Sequence, residues 1–154
     1  MVPSWIVLHH SLSLDRHELL DWNAVRHWHI DENGWRDIGY HFGIELVKSQ
    51  SVYEILVGRM PNETGAHCTH SGMNRKSIGI CMIGNFDEYL PSDALLIRLR
   101  KFTLGLMNLL DIPSENVIGH RDAGLMEGFD WRKGEYKSCP GKRFPLDEFK
   151  LSLI

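Results

Sequence analysis

The sequence predicts an α/β fold, a single domain with a central mixed β-sheet flanked by about three α-helices. Three observations carry this prediction. Short, partly β-branched apolar runs, Trp5-Ile6-Val7-Leu8 and Ser77-Ile78-Gly79-Ile80-Cys81-Met82-Ile83-Gly84, have the length and side chains of buried strands. Longer stretches with apolar residues at helical spacing alternate with them. That alternation puts helices against the faces of a sheet, and 154 residues fit one core, so residues 1–154 are expected to form one domain.

The first strand ends at His9-His10, and side chains at successive strand positions point to opposite faces, so the two histidines are expected to part company. Asp15 with Glu18 three residues on has the spacing of a capping box. Leu19, Trp22, Val25 and Trp28 follow at i+3 steps until Gly34, which predicts an amphipathic helix over residues 15–33. Residues 39–47 and 52–57 read as two strands joined by Lys48-Ser49-Gln50-Ser51, a hairpin. Residues 59–74 are dense in Pro, Gly, Asn, Thr and Ser and read as a long loop of the kind that often carries function. The run at 77–84 suits a strand buried on both faces, with Cys81 in the core. Pro91-Ser92 opens a helix through about Leu110, its apolar side carrying Leu95, Leu96, Leu99, Phe102, Leu106 and Leu110. Asn116-Val117-Ile118-Gly119 is a short strand that delivers His120, and a last helix starts near Asp147.

Composition excludes several function classes. With 43% hydrophobic and 24% charged residues the chain is an ordinary folded one, and a net charge of −3 with no basic run longer than Arg98–Arg100–Lys101 argues against a nucleic-acid partner. No stretch reaches the apolar length of a membrane span, and Met1-Val2-Pro3-Ser4-Trp5 lacks the basic and apolar regions of a secretory signal. The product is therefore expected to be cytoplasmic on synthesis, with no membrane partner. Cys68, Cys81 and Cys139 are an odd set at spacings of no disulfide framework, which predicts free thiols.

His9, His120 and Cys139 stand at segment ends and are zinc-ligand types, and a catalytic zinc site uses three protein ligands and leaves the fourth position open. Their separations of 111 and 19 residues match no zinc-finger or HExxH spacing, so the residues by themselves favour structural roles. Eight ordered blocks change that: Ile6-Val7-Leu8-His9-His10, Asp37-Ile38-Gly39-Tyr40-His41-Phe42, Gly58-Arg59, Thr64-Gly65-Ala66-His67, Ser77-Ile78-Gly79-Ile80, Ile83-Gly84-Asn85, Gly119-His120-Arg121-Asp122 and Lys137-Ser138-Cys139-Pro140-Gly141. Together they resemble the zinc N-acetylmuramoyl-L-alanine amidases, which include phage endolysins and the peptidoglycan recognition proteins.

The resemblance implies that His9, His120 and Cys139 bind Zn2+ with a water in the fourth position, His10 being a supporting residue. It gives Lys137 the task of stabilising the oxyanion and Tyr40 a hydrogen bond to the metal's water; the general acid is left open between Tyr40, Lys137 and that water. His67 resembles a residue lining the substrate groove, with Asn74 and Arg59 as further groove candidates, whereas His17, His27, His29 and His70 read as surface or helix residues. The implied reaction is hydrolysis of the bond between N-acetylmuramic acid and L-alanine in peptidoglycan or a muropeptide, by a monomeric phage or prophage endolysin that reaches the wall after release. Two other readings are a non-catalytic peptidoglycan-binding module and a cytosolic muropeptide-recycling amidase; relatives of those kinds typically replace the cysteine, the latter with Asp, whereas Cys139 is present. Some phage relatives also bind RNA polymerase, a role that nothing in this sequence tests. Residues 123–136 make the gap between the last two blocks longer than in such relatives. With Gly124, Gly128 and Gly134 as hinges and Leu125, Met126, Phe129, Trp131 and Tyr136 as contact surface, they read either as a flap with Trp131 on substrate or as a permanently packed loop.

Overall fold

In the computed structural model, which describes residues 1–13, 20–47 and 52–154, five strands form one sheet in the order β3-β2-β4-β1-β5. The strands are β1 (Trp5–His10), β2 (Phe42–Val47), β3 (Val52–Val57), β4 (Ser77–Met82) and β5 (Val117–Gly119). β1 lies between β4 and β5 and runs parallel to both. β2 is parallel to β4 and antiparallel to the edge strand β3, so the sheet is mixed. The central strands β1 and β4 have no solvated face, which is why both are nearly continuous apolar runs. The predicted turn Lys48-Ser49-Gln50-Ser51 lies outside the described residues, as do Asp15, His17, Glu18 and Leu19.

Alternation along the strands divides the molecule into two layers. Ile6 and Leu8 of β1 and Ile78, Ile80 and Met82 of β4 enter one core, closed by α2 (Asp93–Leu110) and α4 (Leu146–Leu151) through Leu95, Leu99, Leu106 and Phe149. Ser92 caps α2 with its hydroxyl accepting from the Leu95 amide at 3.2 Å, and Asp111 ends that helix in the left-handed conformation. The opposite face carries Val7, Ile118, Cys68, Met73 and Ala123 in one cluster and Trp22, Ile38, Cys81 and Ile83 in another. It is covered by α1 (Leu20–His27), by the turn at His70–Arg75 and by α3 (His120–Leu125). His9 emerges on this second face, at the C-terminal end of the parallel strands, where α/β sheets generally place their ligands.

One expectation needs correction. The first helix does not continue regularly to residue 33. α1 passes into a π turn at Trp28–Glu32, and Trp28 is 61% exposed while Trp22 is 4% exposed. Residues at i+3 steps drift by about 60° per step around a helix, so Trp28 stands about 120° away from Trp22 and leaves the buried stripe. The expected mixed sheet flanked by about three helices is observed, with α3 as a short additional helix among the described residues: Asp122 accepts from the Gly119 amide at 3.0 Å and starts it at His120 itself. Residues 123–136 contain the end of α3 and a short 3-10 turn at Trp131–Lys133.

Candidate metal centre

β1 brings His9, the start of α3 brings His120, and the loop before α4 brings Cys139, so that one ligand atom from each lies within 4.8 Å of the others. All three side chains are buried. His9 Nδ1 is 3.6 Å from Cys139 Sγ. Its Nε2 is 3.0 Å from His67 Nδ1, so the second nitrogen of that ring is already engaged. His120 is held in the same way, its Nε2 lying 2.9 Å from the Tyr136 hydroxyl, which leaves Nδ1 to face the cluster. Both imidazoles are thereby turned with a defined nitrogen inward, the arrangement that supporting hydrogen bonds give to metal-binding histidines.

Electrostatics agrees with a site built for a cation. Burial, reinforced by the charges of His120, His67, His10 and Lys137, holds His9 well below the usual imidazole range. Burial and then the Lys137 ammonium lower His120 to about 3. Both rings are therefore neutral at pH 7. Burial pushes the Cys139 thiol up to about 12, opposed by the His10 amide and Lys137. A thiolate is costly there unless a cation shares the pocket.

The cluster opens into a cleft of about 510 Å³ whose lining includes Tyr40, Ala66, His67, Lys137 and Ser138. Tyr40 is half-buried with its ring 5.1 Å from that of His9; burial and the thiols of Cys81 and Cys139 raise its pKa well above the usual phenol range, so it keeps its proton. Lys137 is exposed at the mouth. His10 points the other way, its Nδ1 accepting from the Phe86 amide at 3.1 Å while its own amide donates to Cys139 Sγ at 3.4 Å.

The groove candidates separate. His67 lines the cleft but also braces His9, and it fits only because Gly79 lies beneath it, where a Cβ would stand 2.6 Å from the His67 ring. Asn74 lines an adjoining depression, and its side-chain oxygen accepts from the amides of His67 and Cys68, both at 2.7 Å, so it shapes the loop that carries His67. Arg59 is not brought to the cleft: its guanidinium donates to the carbonyls of Ile38, Thr64 and Asp37 and ties the 59–67 loop to the sheet. Trp131 is not brought there either, and stacks on the Arg121 guanidinium at 4.6 Å.

Sequence reasoning missed two histidines that matter locally. His29 is half-buried in the cleft wall with Trp28 and Trp35, and its Nδ1 accepts from the Gly39 amide at 3.0 Å. His70 receives the other side of the Tyr136 hydroxyl at 2.9 Å. Neither has a sequence signal, since both contacts join residues from separate segments.

Comparison with known proteins assigns the family. A profile of the N-acetylmuramoyl-L-alanine amidase family matches residues 1–142. The chain is 32% identical over 143 residues to peptidoglycan-recognition protein SC2 of Drosophila melanogaster, covering 90% of this chain and 68% of that protein. It is 39% identical over 70 residues to the endolysin of Escherichia phage T7, covering 46% of this chain and 41% of the endolysin. Among solved structures, the amidase LysC of Clostridium intestinale superposes with a TM-score of 0.71 at 27% identity, covering 99% of this chain and 86% of LysC. A shared fold, a shared profile over most of the length and a His-His-Cys cluster at the expected sheet edge lead to one conclusion: this chain belongs to the N-acetylmuramoyl-L-alanine amidase family, whose other members include peptidoglycan-recognition proteins and phage endolysins.

Proposed function

We propose that residues 1–154 form one catalytic unit that hydrolyses the amide bond between N-acetylmuramic acid and L-alanine in peptidoglycan, with zinc held by His9, His120 and Cys139, and that it serves as an endolysin. The observation that carries this reading is the convergence of two neutral imidazoles and one thiol at the floor of an open cleft. Zinc bonds of about 2.0–2.1 Å to nitrogen and 2.3 Å to sulfur at tetrahedral angles imply a nitrogen-to-sulfur edge of about 3.6 Å. The His9–Cys139 separation of 3.6 Å fits that edge. The donor set is also the right chemistry, because two imidazoles and a thiolate leave one position and a net positive charge. A zinc ion bound there supplies a Lewis acid and a water whose pKa falls to about 7.

The protein's own groups divide the remaining work. Tyr40, kept protonated by its surroundings, offers a hydroxyl donor to substrate or water in the cleft beside His9. Lys137 brings an ammonium to the rim, two residues before Cys139, where negative charge grows on the scissile carbonyl oxygen. His67 and Asn74 shape the wall that the muramyl-peptide meets. Cys139 favours this reading over a binding module without catalysis, since such modules dispense with the thiol ligand. The similarity to the T7 endolysin supports the lytic role, and the peptidoglycan-recognition relatives support the substrate class.

The test is digestion of purified peptidoglycan followed by mass spectrometry. New N-terminal L-alanine amines without new reducing sugars are expected, together with about one zinc per chain and loss of activity on chelation. Reducing ends would make the protein a glycosidase, and undiminished hydrolysis by metal-free protein would remove zinc from the reaction.

A further inference from the structure

We infer that Tyr136 is a positioning residue for His120, and that residues 126–136 form a fixed brace behind the metal centre, not a flap over it. The inference rests on the zinc reading above. Its basis is a chain of polar contacts that runs outward from His120, with the Cys68 thiol a further neighbour of the Tyr136 hydroxyl. The Tyr136 hydroxyl lies 2.9 Å from His120 Nε2 and 2.9 Å from His70 Nδ1. His70 Nε2 faces a Glu127 carboxylate oxygen at 3.9 Å, and the other oxygen of Glu127 accepts from the Ser71 amide.

The phenol has one proton to give, so the order of donors is determined by its ends. With His120 Nδ1 turned to the metal, Nε2 carries hydrogen and donates to the Tyr136 oxygen. The Tyr136 hydroxyl then donates to His70 Nδ1, and His70 keeps its own hydrogen on Nε2, toward the Glu127 carboxylate. Run backwards, the chain would leave hydrogen on His120 Nδ1 and block it as a ligand. The Glu127 carboxylate, a pure acceptor, therefore favours the order in which His120 can bind metal.

The brace is packed as well as bonded. The Tyr136 ring lies against Gly124, where a Cβ would stand 2.2 Å from the ring, and it stacks on Phe129 with ring centres 6.4 Å apart. The Phe129 amide donates to the Gly124 carbonyl at 3.0 Å, closing the turn after α3. Trp131 covers Arg121, whose guanidinium donates to the Gly141 carbonyl at 2.8 Å and whose amide donates to the Cys139 carbonyl at 2.7 Å. One segment thus locks His120 through Tyr136 and supports the Cys139 loop through Trp131.

The test compares zinc affinity, measured by competition with a chromophoric chelator, in the whole protein and in Tyr136→Phe. Phenylalanine keeps the ring against Gly124 and Phe129 and removes only the hydroxyl. Zinc Kd is expected to rise about 10–100-fold, the usual cost of losing a partner of a metal-binding histidine, with the melting temperature of the metal-free protein unchanged. His70→Phe, which removes the next acceptor, should weaken zinc in the same direction by a smaller factor. In the zinc-loaded wild type, nitrogen NMR of His120 should show hydrogen on Nε2. Equal affinity in Tyr136→Phe and wild type, or hydrogen on Nδ1, would overturn the inference while leaving the zinc centre standing. Failure of the wild type itself to bind zinc would instead overturn the proposed function.

Discussion

Cys139 and His10 show how single side chains are committed at this site. Serine nearly preserves the volume of Cys139 but offers a neutral hydroxyl, a poor zinc ligand. Cys139→Ser is therefore expected to abolish hydrolysis and lower zinc content while still binding muropeptide; normal turnover by that variant would remove the thiol from the centre. If, as proposed, Tyr40 and Lys137 act mainly on charge that develops during reaction, Tyr40→Phe and Lys137→Ala should each lower kcat by roughly 10²-fold with KM altered less. Kinetics showing a change in KM alone would make them binding residues. His10 gives a pH dependence whose sign can be worked out. Burial lowers its pKa from 6.5 to about 4, with Asp87 opposing the shift. Below pH 6.5 the unfolded chain takes up a proton that the folded one refuses until about pH 4, so stability is present above 6.5 and declines across that window. The loss is on the order of 3 kcal/mol at most. His10→Asn keeps an acceptor for the Phe86 amide and cannot titrate, so melting of the metal-free variant should depend less on pH between 6.5 and 4. An unchanged pH profile would show that other groups dominate.

Among the elements, α2 holds the far layer and α3 holds the site. Leu99 is fully buried between α2 and the sheet, whereas Leu109 on the same helix is 79% exposed. Leu99→Ala should cost about 2–5 kcal/mol in urea unfolding through the cavity it leaves, and Leu109→Ala no more than about 0.5 kcal/mol. Similar costs at the two positions would contradict the layer assignment. In α3 the helical glycine Gly124 is the informative position. Alanine favours the helix by about 1 kcal/mol yet places its methyl inside the Tyr136 ring. Displacement of that ring should weaken zinc binding in Gly124→Ala even though the helix gains propensity; a tighter zinc site would show that Tyr136 yields without consequence.

At the scale of the whole molecule, the proposed zinc ligands join β1, α3 and the loop before α4, three segments distant in sequence. A ligand that binds only the folded state stabilises it by mass action, about 4 kcal/mol at a thousandfold excess over Kd. Zinc should therefore raise the melting temperature of the wild type, and the increment should be lost in Cys139→Ser. An equal increment in both would mean that zinc binds elsewhere. No helix among the described residues is long and apolar enough to cross a membrane.

The sequence by itself determined the mixed α/β sheet, because strands buried on both faces must be continuous apolar runs, as 5–8 and 77–84 are, and because Ser92 announces α2 through local capping chemistry. It also pointed to His9, His120 and Cys139, through the blocks around them and not through any spacing. What only the tertiary structure decided are the contacts between segments: His67 on His9, Tyr136 between His120 and His70, Arg59 turned to the sheet carbonyls, and Trp131 on Arg121. Periodicity reports which face of an element is apolar, and strict i+3 steps misplaced Trp28, because such steps drift out of the buried stripe. Which nitrogen of a histidine finds a partner depends instead on where a distant loop comes to rest, and that is settled by packing of the complete chain.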